Sequence, residues 1–464
     1  MDNRYRNAAA ELALLAAVVF TSMALYWGDF DESTVLVLYA GSMILVLTLI
    51  LSTFDNLIFA ARLFLLFIVG AYPLAIKLMG RDLYFSVFEF TTQTLSVATT
   101  MYALSLLAVV GAYLGWKAGA GVRGANGSEP QLPVFDEYHF WVFVLSALFA
   151  VLSGVLITAS STGTILDSAY GSGTEGSPVI GSASAIGGIA LSVMFYCCMA
   201  ARRQAYWILL GLVATYLLVW CQILRGLRQD VVGAVFSCLV LFLMFRLRDV
   251  SIKVRYILYV VPVFLALELW GLVRTGLSLF LEGRLSVQEL LDMGLGNAAI
   301  MPGVVYSGTL GPIATTFANV VALFERGQVN MLYGSGYVDY LLRTPPEFLY
   351  PDRPQDYALM FPAYGLSSGG GFFELAEAYL NFGLLGALVV PFLISFVIAN
   401  FYSKALSRKN IFYIFALSSI LCVWLRGSWY QTFAFYKSFI SGLAIFMVIH
   451  VVAVLMTSNR RQRH

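Results

Sequence analysis

Apolar runs of about twenty residues recur along almost the whole chain, and this constrains its fold more than any other feature. In an α-helix such a run is long enough to cross the roughly 30 Å hydrocarbon core of a bilayer. Twelve runs qualify: 8–27, 33–53, 58–79, 94–116, 140–158, 180–201, 205–224, 229–246, 252–273, 374–402, 411–425 and 436–457. Lipid supplies no hydrogen bonds, so a spanning backbone must pair with itself, and these runs are expected to be helices. The expected fold class is an all-α, polytopic integral membrane protein of about twelve transmembrane helices. Composition agrees: 60% of the 464 residues are hydrophobic and only 12% charged, against about 45–50% and about 25% in soluble domains. A soluble enzyme, a coiled coil and a disordered chain are excluded. A net charge of +2 carries no nucleic-acid footprint.

Charge sets the expected sidedness. With the first residues in the cytoplasm, 17 of the 28 Lys and Arg fall on the inner side, among them Arg4, Arg6, Arg202, Arg203, Arg246, Arg248, Lys404, Arg408 and Arg460. Five of the remaining 11 lie in one long outer loop, which the positive-inside rule does not count. An even number of spans places both ends in the cytoplasm. The basic start followed by an apolar run reads as a retained first span rather than a cleaved signal. The organisation expected is therefore helices 1–9 over 1–273, a large folded outer loop over 274–373, and helices 10–12 over 374–464. Loops of such length are functional or disordered. This one holds aromatic residues and short amphipathic pieces such as Thr315–Phe324, so it is expected to fold.

Four junctions on the outer side carry the chemistry-bearing residues. Arg225-Gly-Leu-Arg228-Gln-Asp230 links the seventh and eighth runs. Interfacial anchoring explains such cations, but anchors favour the opposite side, whereas paired guanidinium groups match the oxygens of a pyrophosphate. In the long loop, which opens at Arg274, four prolines stiffen Arg343-Thr-Pro-Pro-Glu-Phe-Leu-Tyr350-Pro-Asp352-Arg353-Pro. Glu374 and Glu377 are three apart at the start of the tenth run and share a helix face. Dipole complementarity accounts for Glu374; Glu377, a turn deeper, is a candidate general base. Arg426-Gly-Ser-Trp-Tyr430 joins the last two runs. A solvated turn or an interfacial anchor remains the alternative at each junction. Glu11 and Glu268 lie near the ends of runs and read as structural.

Histidine and metal chemistry find little footing. His139 and His464 fall on the inner side and His450 within the last run, so a histidine base or a zinc site is disfavoured outside. Asp352 and Asp356 could hold a cation only with poor spacing. The five cysteines, Cys197, Cys198, Cys221, Cys238 and Cys422, sit in or beside apolar runs with no CxxC, so neither disulfides nor zinc are expected.

Together, Gly226-Leu-Arg228, Pro346-Glu-Phe-Leu-Tyr-Pro-Asp-Arg353-Pro, Glu377-Ala-Tyr-Leu-Asn381-Phe-Gly383 and Leu425-Arg426-Gly427 resemble the Wzy-type O-antigen and oligosaccharide repeat-unit polymerases. These are glycosyltransferases of the C-type integral-membrane superfamily. The resemblance covers most of 200–440 and includes the long outer loop. It implies a GT-C-like fold in a bacterial inner membrane, with the site periplasmic and no metal cofactor. It implies undecaprenyl-pyrophosphate-linked oligosaccharide as donor and acceptor, with membrane lipid and a chain-length regulator protein as further partners. Arg228, Arg353 and Arg426 would then stabilise the departing pyrophosphate, and Glu377 would take or orient the acceptor proton. Arg225, Asp230, Arg274, Arg343, Asp352, Glu374 and Tyr430 would contact substrate. O-antigen ligases share the architecture but are expected to carry a histidine in the long loop, which this chain lacks. A transporter or flippase of lipid-linked sugars would instead show an internal repeat and polar groups near the midplane in broken helices.

Overall fold

The structure, a computed structural model, describes residues 3–80, 94–121, 132–160, 178–223, 228–247, 251, 280, 283–289, 310–345, 350–352, 354, 373–407, 410–430 and 432–461. Ten helices among them are long and apolar enough to cross a membrane. The chain is thus an all-α, multi-pass membrane protein. The helices of the first half are α1 (Asn3–Trp27), α2 (Glu32–Leu51), α3 (Leu57–Leu78), α4 (Leu95–Ala120), α5 (Glu137–Ser160) and α6 (Pro178–Ala201). Next come α7 (Gln204–Ala214), prolonged by a π-helical Thr215–Gln222, and α8 (Arg228–Phe242), prolonged by a π-helical Leu243–Leu247. The second half holds α9 (Leu310–Glu325), α10 (Ser335–Arg343), α11 (Glu374–Ser407), α12 (Ile411–Leu421), a π turn at Arg426–Tyr430, and α13 (Phe433–Arg461).

One expectation changes. Of the twelve runs, 252–273 lies outside the described residues. The run 411–425 is no single long helix: α12 has 11 residues and gives way to a turn and then the π turn. At about 1.5 Å per residue α12 covers only about half a bilayer. The amphipathic piece Thr315–Phe324 is folded, as expected. It forms most of α9, which buries Ile313, Phe317, Val320, Val321 and Leu323 against α3 and α4 and so is a core helix of its unit.

The chain divides into two compact units that interleave along the sequence. One comprises 1–124, 302–400 and 427–433. Its centre is α4, from which nineteen residues are buried, with α1 and α3 against it. Phe59 stacks on Trp116 with ring centroids 4.9 Å apart. Gly111, Gly115 and Gly119 recur every fourth residue along α4 and face the backbone carbonyls of Leu388, Phe392 and Phe396 on α11, so close that a methyl group at any of the three would collide with them. Packing at that distance, rather than a hydrophobic drive that lipid would match, holds such helices together.

The other unit comprises 125–301, 401–426 and 434–464. Here α5 lies along α6, and α12 packs on α6 and α8. Gly233 of α8 meets the carbonyl of Cys422, and Ser438 of α13 donates to the Ser419 carbonyl at 2.6 Å. Phe412 and Phe415 pack on Phe446. All five cysteines are free.

Candidate functional site

The polar heart of the first unit is built around a break in α11. Thirty-four residues of continuous helix would extend about 51 Å, far beyond a bilayer core. The helix does not run on: Gly383 has φ 60° and ψ −146°, a conformation closed to residues with a side chain. A short arm, 374–382, ends there and a long arm, 384–407, folds back along it. Gly386 consequently lies against the carbonyl of Ala378. Asn381 secures the end of the short arm, donating to the Glu377 carbonyl at 2.9 Å and accepting from the Gly336 amide at 3.1 Å.

Arg62 of α3 ties the two arms together. It is fully buried within an apolar span. Its Nη1 donates to Glu374 Oε2 at 2.6 Å and to Ser428 Oγ at 2.9 Å, its Nη2 to Glu374 Oε1, and its Nε to Ser395 Oγ at 3.4 Å. Glu374 and Ser395 would stand about 31 Å apart on a straight helix, so their meeting on one guanidinium follows from the fold-back. Glu374 is itself 0% exposed. A buried charge is tolerated when geometry and extra donors compensate its desolvation, and this pair has both.

Glu377, one turn on, is 1% exposed. Its Oε1 accepts from the Tyr340 hydroxyl at 2.7 Å, and its Oε2 accepts from the Thr432 amide at 3.2 Å and from the Thr432 hydroxyl. Glu377 thus holds Thr432 directly, Glu374 reaches Ser428 only through Arg62, and Trp429 adds a hydrogen bond to the Leu65 carbonyl at 3.3 Å. Around them Tyr340 packs on Phe433 at 5.3 Å, and the guanidinium of Arg343 sits 5.4 Å from the same ring.

In the other unit, Arg426 opens the π turn and its Nη1 lies 3.5 Å from Asp230 Oδ1. Asp230 is 6% exposed at the side chain and Arg426 41%. Gly181 faces this guanidinium, and a methyl group on it would press on the Arg426 nitrogens. The buried carboxylate therefore holds an arginine whose head stays partly open. π turns frequently accompany functional positions.

Of the candidate residues read from sequence, Glu374, Glu377 and Arg343 gather in the first unit, and Arg426 with Asp230 in the second. Asp352 is exposed in a turn. Arg228 begins α8, and Tyr430 ends the π turn. Arg225, Arg274 and Arg353, together with the side chains of Arg228 and Tyr430, lie outside the described residues. Sequence reasoning missed Arg62, Tyr340 and Thr432. Arg62 carried a signal all the same: it is an arginine five residues inside an apolar run, where an ionisable group is a functional candidate by default. Among the described residues no three metal-ligating side chains converge.

What fold and site define is a class: a polytopic helical membrane protein with a broken span and a buried, hydrogen-bonded charge cluster. No family model, curated protein or solved structure matches the chain.

Proposed function

We propose that the chain polymerises lipid-linked oligosaccharide repeat units at the periplasmic face of a bacterial inner membrane. The growing glycan on undecaprenyl pyrophosphate is the donor. A hydroxyl of an acceptor sugar, itself carried on undecaprenyl pyrophosphate, attacks the donor's anomeric carbon. The new glycosidic bond forms as the bond to the pyrophosphate breaks, and undecaprenyl pyrophosphate departs. The observation that carries this reading is the half-open Arg426 held at 3.5 Å by buried Asp230. An arginine needs no deprotonation to meet developing negative charge, and a fixed one acts without reorganising. Arg228 and Arg353 share the role, and Glu377 accepts the acceptor proton. Both Glu377 oxygens are engaged by Tyr340 and Thr432. On this reading one of these donors yields its place to the sugar hydroxyl.

The test is incubation of purified protein with lipid-linked repeat units, followed by mass analysis. Products lengthening by whole repeats support the reading; unchanged substrate removes it. Arg228→Ala, Arg353→Ala and Arg426→Ala should each stop chain growth while the protein stays inserted, each removing about 2.7–4 kcal/mol of transition-state stabilisation. Glu377→Gln should slow transfer and leave lipid-pyrophosphate binding intact.

One observation favours a second reading, transport of lipid-linked sugars. A span broken at Gly383, with a buried ion pair joining its two arms, has the discontinuous-helix form that secondary transporters use. Liposomes separate the two: a transporter moves the repeat unit between leaflets without lengthening it.

A further inference from the structure

The short helix α10 carries an apolar face that its own unit leaves uncovered. On one side it buries Gly336 and Tyr340 against the short arm of α11. On the other, Val338, Leu341 and Leu342 are 55%, 54% and 44% exposed, and Tyr333, just ahead of the helix, is 81% exposed. Spacing of three and four residues places the three aliphatic side chains on a single stripe. Nine residues make about 13.5 Å of helix, far too little to cross a bilayer.

The neighbours of α10 indicate what covers this stripe. Tyr337 stacks on Phe382 with ring centroids 6.0 Å apart and planes within 13°, and Gly334 faces the same ring. Phe382 stands at the turn of the α11 hairpin. Just past that turn begins a row of exposed apolar residues, Leu385, Val389, Leu393 and Val397, that descends the long arm at intervals of four. That arm belongs to a helix long and apolar enough to cross a membrane, and the natural solvent of such a row is lipid. The exposed face of α10 therefore starts where a lipid-facing row ends. Tyr333 adds a side chain that prefers the membrane–water boundary.

We propose that α10 lies on the bilayer as an interfacial helix, with Val338, Leu341, Leu342 and Tyr333 sunk among lipid headgroups and the first carbons of the acyl chains. Its occupant is the lipid surface itself, and the inference stands independently of the reaction proposed above. One consequence concerns Glu377. Tyr340, its phenolic partner, projects from the opposite face of this same helix. Lipid contact and the buried carboxylate are then separated by one helix diameter, about 10 Å.

The test places a cysteine at Val338, Leu341 or Leu342 of the full chain, one at a time, and labels it with an environment-sensitive fluorophore. The unsubstituted chain, whose own five cysteines are buried or half-buried, sets the background. Each protein is reconstituted into nanodiscs of phosphatidylethanolamine and phosphatidylglycerol. A fraction of the lipid carries a spin label either near the headgroup or near the chain end. The expected result is blue-shifted emission at all three positions, quenched more strongly by the shallow label than by the deep one. Insertion of about 5–10 Å is what such helices show. A label at exposed Gln328 should remain water-like and unquenched. Water-like emission at the three positions overturns the proposal. So does stronger quenching by the deep label, and so does a blue shift without quenching, which would mean that a second copy of the chain covers the stripe. A substitution that impairs folding is recognised by its elution profile, and the other two positions then decide.

Discussion

Arg62 and Glu374 stand or fall together. Arg62→Met would leave Glu374 buried and without its cation, and removing one partner of such a pair destabilises by about 3–5 kcal/mol. Arg62→Met with Glu374→Leu removes both charges and should recover most of that loss. Thermal unfolding in detergent measures both; equal damage in the single and double variants would deny the pair its role. Tyr340→Phe is the milder companion. It deletes one of three hydrogen bonds to Glu377 and should lower stability by about 1–3 kcal/mol on the same assay, since the carboxylate stays buried. These residues also mark where sequence reading stopped. Glu374 and Glu377 were legible from their spacing at the head of an apolar run. Their partners were not, because Arg62, Tyr340 and Thr432 lie 312, 37 and 55 positions away and only tertiary contact brings them in.

The hairpin in α11 depends on a single backbone conformation. Gly383→Ala forces a side chain into a region that only glycine occupies comfortably, and the strain should amount to about 1–3 kcal/mol. The predicted outcome is a lower melting temperature. An unchanged one would mean that the arms are held without the turn. The break was open to sequence reading in part. Asn381-Phe382-Gly383 offers the asparagine and glycine that close helices, but the apolar run continues past it, and the hydropathy pattern reads straight through. Length was the missed clue, because no single span requires 34 residues. The other nine long helices were legible for the opposite reason: each is an apolar run without such a break.

For the whole molecule, the sidedness read from charge is open to direct test. The twelve apolar runs read from sequence are an even number, so both ends should face the cytoplasm. Reporter domains fused at each end, one active only inside and one only outside, check this; ends on opposite sides would remove one crossing from the count. The glycine seam of α4 acts at this scale as well. Every single-nucleotide change of a glycine codon that alters the residue attaches at least a β-carbon, so Gly111, Gly115 and Gly119 have no gentle mutational neighbour. In a saturation library selected for correct membrane assembly these three columns should stand empty, while exposed Leu385 accepts almost any oily replacement.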